Sequence, residues 1–194
     1  SDLSNGEILR KTIHIGGFTV PFACIHFSNA RLVSTALFVV TIIYAASEIA
    51  RIKGTNVPVF STITRKAATP NPEIDHFVTG PISFAMGILL TLLIFPTHIA
   101  YASITVLTLG DGFACIFGKI LGKTPLFFNR KKKVEGTICG FTCAFLGAML
   151  FVSPLKALVA AASGMLAECL PSSIDDNLVI PLTAGTALIL FTQF

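Results

Sequence analysis

The chain of 194 residues is 53% hydrophobic and only 12% charged, against roughly 25% charged in an ordinary soluble domain, and its mean hydropathy is +0.80. These figures leave no place for a soluble enzyme, a disordered tail or a fibrous protein. The net charge of +4, from 14 Lys+Arg and 10 Asp+Glu, falls in a few short loops. There it sets topology or meets phosphates and does not call for nucleic acid.

Apolar runs fall at about 12–29, 32–50, 80–96, 98–118, 137–154, 155–170 and 178–193. At about 20 residues per span they fill the chain with about seven membrane helices. The first run contains Gly16, Gly17 and Pro21, so a bent or short span is expected. The sixth carries Ala160, Ala161, Ala162, Ser163 and Gly164, which suits close helix approach inside a bundle. Longer polar stretches at about 51–79 and 119–136 are expected as cytoplasmic loops. Five cysteines, at 24, 115, 139, 143 and 169, lie in or beside apolar runs without a zinc-like spacing and read as packing residues. No cleavable signal peptide is expected, and Ser1 in place of Met fits a trimmed start. The expected fold is an all-α polytopic transmembrane bundle, one integral membrane catalytic domain over residues 1–194.

With a cytoplasmic N-terminus, that side holds Arg10, Lys11, Arg51, Lys53, Arg65, Lys66, Lys119, Lys123, Arg130, Lys131, Lys132 and Lys133; the other holds only Arg31 and Lys156. This is the positive-inside pattern. The acids say more, because that rule barely concerns them. Asp2, Glu7, Glu48, Glu73, Asp75, Asp111, Glu135, Glu168, Asp175 and Asp176 all fall on the same side or in the nearer membrane half. An enzyme taking a charged soluble substrate from the cytosol needs that arrangement.

Five constellations carry possible chemistry. Glu7, Arg10, Lys11 and His14 share one helix face where the first span enters the bilayer. The plainer reading there is a snorkelling anchor with an internal ion pair. Glu48 and Arg51, at the end of the second span, read equally well as an ion pair plus a topology signal. Gly110-Asp111-Gly112 puts a carboxylate inside the fourth span, where it is expensive unless paired or bound to a cation. Beyond it, Gly118-Lys119-Ile120-Leu121-Gly122-Lys123-Thr124 imitates a P-loop but has three residues between its glycines where the motif needs four. The run Arg130-Lys131-Lys132-Lys133-Val134-Glu135-Gly136-Thr137 joins cations to a carboxylate and a hydroxyl at a helix start, where phosphate binds free N–H groups. Last, Glu168 and Asp175-Asp176-Asn177 bracket the turn between the sixth and seventh spans. One of those two aspartates is expected to cap the helix. With Asp111 they form a hard-oxygen set suited to Mg²⁺ on a nucleoside triphosphate. Together these features describe a membrane enzyme moving a phosphoryl or nucleotidyl group between a soluble triphosphate and a lipid.

The motifs Glu7-x-x-Arg10-Lys11-x-x-His14, Gly110-Asp111-x-x-Ala114-x-x-x-Gly118-x-x-x-Gly122-Lys123, the basic run with Glu135-Gly136-Thr137, and Glu168…Asp175-Asp176-Asn177-Leu178…Pro181 occur in this order. In this the chain resembles the diacylglycerol/polyprenol kinase family, which includes dolichol kinase, phytol kinase and CTP-dependent diacylglycerol kinase. Where that family commonly has Ser or Thr after the lysine, this chain has Val134, and Thr137 is the hydroxyl at hand. The resemblance implies CTP as donor, Mg²⁺ as cofactor and a lipid alcohol as acceptor, at the cytoplasmic leaflet of the cell membrane or endoplasmic reticulum. It assigns Lys123, Lys131, Lys132, Lys133, Glu135, Gly136 and Thr137 to the nucleotide, with Arg10 and Lys11 neutralising phosphate. Asp111, Asp175 and Asp176 would hold Mg²⁺ with Glu168 in support, and His14 or an aspartate, Asp111 or Asp176, would take the acceptor's proton. A CDP-lipid synthase is the alternative enzyme, but its Lys-Asp…Pro-Gly-His-Gly-Gly…Asp-Arg signature is missing. A transporter should carry polar groups toward both faces, and the outer half here is nearly bare.

Overall fold

The computed structural model describes residues 5–55, 62 and 77–193. Arg65, Lys66, Asp2, Glu73 and Asp75 lie outside the described residues. The described elements are α1 (Asn5–Gly16), α2 (Thr19–His26), α3 (Ala30–Ile52), α4 (Gly80–Ile94), α5 (Thr97–Thr105), a π-helical stretch (Val106–Asp111), α6 (Gly112–Ile120), α7 (Val134–Ala148), α8 (Pro154–Cys169) and α9 (Asp176–Gln193). Among the described residues the only β pairing is an isolated bridge between Pro125 and Lys133. The fold is all-helical.

Local chemistry sets the helix ends. Asn29 caps α3 by accepting the Leu32 N–H at 3.0 Å, after a corner where Ser28 takes φ 49°. Proline stands in the first turn of α4 and α8, where a missing N–H costs nothing. The expected bend in the first apolar run is a break: α1 ends at Gly16 and α2 begins at Thr19. A Cβ on Gly17 would lie 3.0 Å from the Thr108 side chain, so the break also seats α1 against the π stretch.

Two helices are long and apolar enough to cross a membrane, Ala30–Ile52 and the continuous Thr97–Ile120; Gly80–Ile94 and Val134–Ala148 are apolar but shorter. At 1.5 Å per residue the first two reach about 35 Å, past a hydrocarbon core of about 30 Å. Their surroundings differ. Thr97–Ile120 is the buried axis of the bundle, whereas α3 leaves Leu32, Phe38, Val39, Ile42, Ile43 and Ile49 exposed.

The core forms where α5, the π stretch, α7, α8 and α9 meet, around Ile104, Val106, Leu107, Met165, Ile180 and Leu188. Alanine fills the rest: Ala144, Ala148, Ala157, Ala160, Ala161 and Ala184 are fully buried. Small side chains let the backbones approach. α6 also lies close on α7, where a Cβ on Gly136 would come within 2.6 Å of the Gly118 Cα. This contact pins the start of α7, and the basic loop before it, onto the end of α6.

Candidate active site

Lys11 and His14, on the buried face of α1, meet Asp111 at the last residue of the π stretch. Lys11 Nζ donates to Asp111 Oδ2 at 2.6 Å, and His14 Nε2 lies 3.3 Å from the same oxygen. The same imidazole nitrogen is 3.2 Å from the Leu107 carbonyl oxygen. A π turn displaces the regular i→i+4 ladder, which leaves such a carbonyl open to a side-chain donor. Phe84 of α4 packs on the His14 ring with centroids 4.3 Å apart. One turn earlier, Glu7 pairs with Lys119 of α6. The α1 stripe therefore spreads over two partners, while its fourth member, Arg10, is exposed.

A second cluster closes beside the first. Lys132 Nζ donates to Glu168 Oε1 at 2.8 Å, to the Glu168 carbonyl oxygen at 2.6 Å and to Asp176 Oδ2 at 2.7 Å. Burial disfavours the Lys132 ammonium, but Glu168 and Asp176 outweigh it and hold its pKa above the ordinary lysine value. The clusters share one field: the charge of Lys132 acts on Asp111, and that of Asp111 acts on Glu168. Asn129 Nδ2 donates to the Cys169 carbonyl at 3.2 Å, so the basic loop is strapped to the end of α8 at two points.

The two neighbouring aspartates divide the work. Asp175 caps α9, accepting the Asn177 N–H at 2.9 Å, and its other oxygen accepts from Ser83 Oγ of α4 at 2.7 Å. Asp176 alone turns to Lys132. The structure thus brings Asp111, Glu168 and Asp176 to one region and holds Asp175 against α4. Among the described residues no three His, Cys, Asp or Glu side chains converge to hold a metal by themselves. Glu168 and Asp176 do place hard oxygens on two sides of one positive charge, that of Lys132. That donor set fits Mg²⁺, which binds through one or two carboxylates together with substrate phosphates.

Of the residues expected on the nucleotide, Lys11 meets Asp111 and Lys132 enters the cluster of Glu168 and Asp176. Lys123 and Lys131 are exposed, and Lys133 is half-buried against Gly122. Glu135 folds back, its two oxygens accepting the Thr124 N–H at 3.1 and 3.2 Å. Its pKa falls to about 2, held down by its own backbone N–H first, against a small cost of burial, and by Thr124 and Lys123. Gly136 serves the α6–α7 crossing, and Thr137 Oγ1 lies 3.5 Å from Cys169 Sγ.

Sequence reasoning missed Ser83, which also accepts from Asn177 Nδ2 at 3.3 Å; a serine inside an apolar run gives no signal of such a role. The expected ion pair of Glu48 and Arg51 forms. Their pair is buried, with Arg51 Nη2 at 2.8 Å from Glu48 Oε2, and Glu48 accepts the Val78 N–H at 3.3 Å, tying α3 to the entry of α4.

The chain is 31% identical over 148 residues to a probable chloroplastic phytol kinase of Zea mays, covering 66% of this chain and 48% of that protein. It is 30% identical to a chloroplastic farnesol kinase of Arabidopsis thaliana, over 64% of this chain and 46% of that one. A CTP-dependent diacylglycerol kinase 1 of Schizosaccharomyces pombe is 25% identical, over 95% of this chain and 93% of its own length. The homologues are phytol, farnesol and diacylglycerol kinases. They match the diacylglycerol/polyprenol kinase family that the sequence motifs resemble. The chain spans about half the length of the plant relatives it matches. No protein-family profile matches the chain, and no solved structure does.

Proposed function

We propose that this chain is a membrane-embedded lipid-alcohol kinase. It moves the terminal phosphoryl group of a nucleoside triphosphate to the hydroxyl of a polyprenol-type alcohol, phytol or diacylglycerol at the cytoplasmic leaflet. The observation that carries this reading is the pair of coupled clusters, in which Lys11 and Lys132 each neutralise carboxylates brought from separate helices. Phosphoryl transfer asks a protein mainly for positioning and positive charge, and both are present. CTP as donor is supported by the likeness to the fission-yeast relative. The exposed apolar face of α3 supports a bilayer setting.

The chemistry follows from the groups in place. Donor phosphates draw the Lys132 and Lys11 ammonium groups off their carboxylates, since phosphate oxygens compete for the same charge-assisted bonds. Glu168 and Asp176 are then the side chains that would hold Mg²⁺, which when bound neutralises charge on the phosphates. Asp111, or His14 beside it, accepts the proton of the lipid hydroxyl. The alcohol oxygen bonds to the terminal phosphorus as the bond to the bridging oxygen breaks, giving a lipid phosphate and a nucleoside diphosphate. Arg10, Lys123, Lys131 and Lys133 stand outside the clusters, and Asp175 with Ser83 fixes the helix end that carries Asp176.

Purified protein in detergent, given Mg²⁺, labelled CTP and a panel of lipid alcohols, tests the proposal. Label passing from the γ-phosphate to lipid is the expected result. Label passing from the cytidine moiety would instead establish a CDP-lipid synthase, and transfer of neither would remove the enzymatic reading.

A further inference from the structure

The basic loop has a second face that the site does not use. Its frame is fixed: Leu126 N–H donates to the Lys132 carbonyl at 3.0 Å, Lys132 N–H to Asn129 at 2.9 Å and Val134 N–H to Thr124 at 2.9 Å. Lys132 and Asn129 strap this frame to the end of α8. At its tip stand Phe127, 96% exposed, and Phe128, 52% exposed, followed by the exposed cations Arg130 and Lys131. Ile120 and Leu121, where α6 runs into the loop, are exposed as well. A phenylalanine that touches almost nothing, held out by a bonded frame, is not serving the interior. It adds apolar surface that water disfavours.

We propose that this tip is a membrane-interface anchor: Phe127 and Phe128 dip into the acyl boundary of the leaflet beside the active site, while Arg130 and Lys131 meet anionic lipid headgroups. Adjacent aromatics and cations are the pattern by which a segment lies in an anionic interface, apolar groups below and cations at headgroup level. Charge complementarity selects anionic lipid as the occupant over an apolar protein partner. The assignment rests on the bilayer setting proposed above for the bundle. It divides the basic run between two tasks, with Lys132 turned to the acids and Arg130 and Lys131 turned to the lipid.

The chain contains no tryptophan, so single substitutions make clean fluorescent reporters. Phe127→Trp and, separately, Phe38→Trp on the exposed face of α3 are reconstituted as full chains. The vesicles contain phosphatidylcholine brominated high on the acyl chain, with or without phosphatidylserine. The expected result is a blue-shifted emission for F127W that the brominated lipid quenches, more strongly with phosphatidylserine and less so at high salt. Quenching of F38W without quenching of F127W overturns the anchor and leaves the bundle in the bilayer. Quenching of neither overturns the bilayer setting too. Quenching of F127W that ignores phosphatidylserine and salt overturns the assignment to anionic headgroups.

Discussion

Replacing Lys132 by methionine removes the one cation lying between Glu168 and Asp176 while keeping the length of an unbranched chain. At 2.8 and 2.7 Å, each pair has a gross attraction of about 6 kcal/mol at an effective dielectric of about 20. Desolvation offsets most of that, and removing one partner of a buried pair costs about 3–5 kcal/mol. The Asp176 side chain is 35% exposed and that of Glu168 only 5%. Water therefore absorbs much of the loss at Asp176, and the cost falls on Glu168, giving about 3 kcal/mol. For a chain of this size that is a fall in Tm of about 6–12 °C, read by thermal unfolding in detergent. Turnover should fall as well, which by itself does not separate a phosphate contact from a structural cation. The double variant K132M with Glu168→Gln, set against Glu168→Gln alone, does. It removes the stranded buried charge, so Tm should return most of the way, while CTP-dependent phosphorylation of a lipid alcohol should fall well below that of Glu168→Gln alone. Equal turnover in the double variant and in Glu168→Gln would show that Lys132 only balances charge and would refute its contact with the donor.

Asp111→Asn keeps the size and an acceptor for Lys11 and His14, so it should fold while losing roughly 100-fold or more in kcat; retained turnover in a purification-matched assay would take Asp111 out of the reaction. His14→Gln should lower kcat by roughly 100-fold or more if the imidazole accepts the acceptor's proton, with KM for the nucleotide unmoved, and steady-state kinetics at varied CTP separate the two. Glu135 supplies a pH test. Its folded pKa, about 2, lies below the ordinary 4.5, so the hold on Thr124 is complete above pH about 4.5 and is lost as pH falls through about 2. The Thr124 amide proton shift should titrate with that midpoint, and a midpoint at the ordinary carboxylate value would show that the carboxylate is not held.

How far this was readable in the sequence depends on how local each cause is. The +3, +4 and +7 spacing in α1 placed Lys11 and His14 on one stripe because helix geometry alone decides that. Their partner needed tertiary contact, and Glu7 went to Lys119 instead of pairing within α1. The depth of Asp111 was legible from the apolar run around it. The π turn that presents it was not, since an apolar sequence on every side carries no period to disturb. That one of Asp175 and Asp176 would cap α9 followed from helix-end chemistry, but which one depends on where the turn after Cys169 releases the chain. The basic run was hardest to divide. Consecutive lysines look alike in sequence, yet Arg130, Lys131 and Lys132 lie in a turn closed by the Lys132 N–H on the Asn129 carbonyl, and with the bond from Leu126 to Lys132 this turn sends one of them to the acids and its neighbours elsewhere.

A carboxylate at helix depth without a counter-charge would cost several kcal/mol, and Asp111, Glu168 and Glu48 each have a cation in reach: Lys11, Lys132 and Arg51. The bundle therefore folds with its site charge-compensated before any substrate arrives. That compensation also limits what can enter. In the proposed kinase a neutral lipid alcohol would not compete for Lys11 or Lys132, whereas a triphosphate would bring oxygens that can, so donor binding would come first in freeing the carboxylates for the acceptor. Glu48 and Arg51 are joined to each other on one helix, and Glu48 to the Val78 backbone. Their pair holds the entry of α4, and through α4 it holds Ser83, Asp175 and the helix start that carries Asp176. Burial marks both kinds of ion pair equally. Among the described residues, the pairs around Asp111 and Glu168 join separate elements and bring together cations that a phosphate could contact.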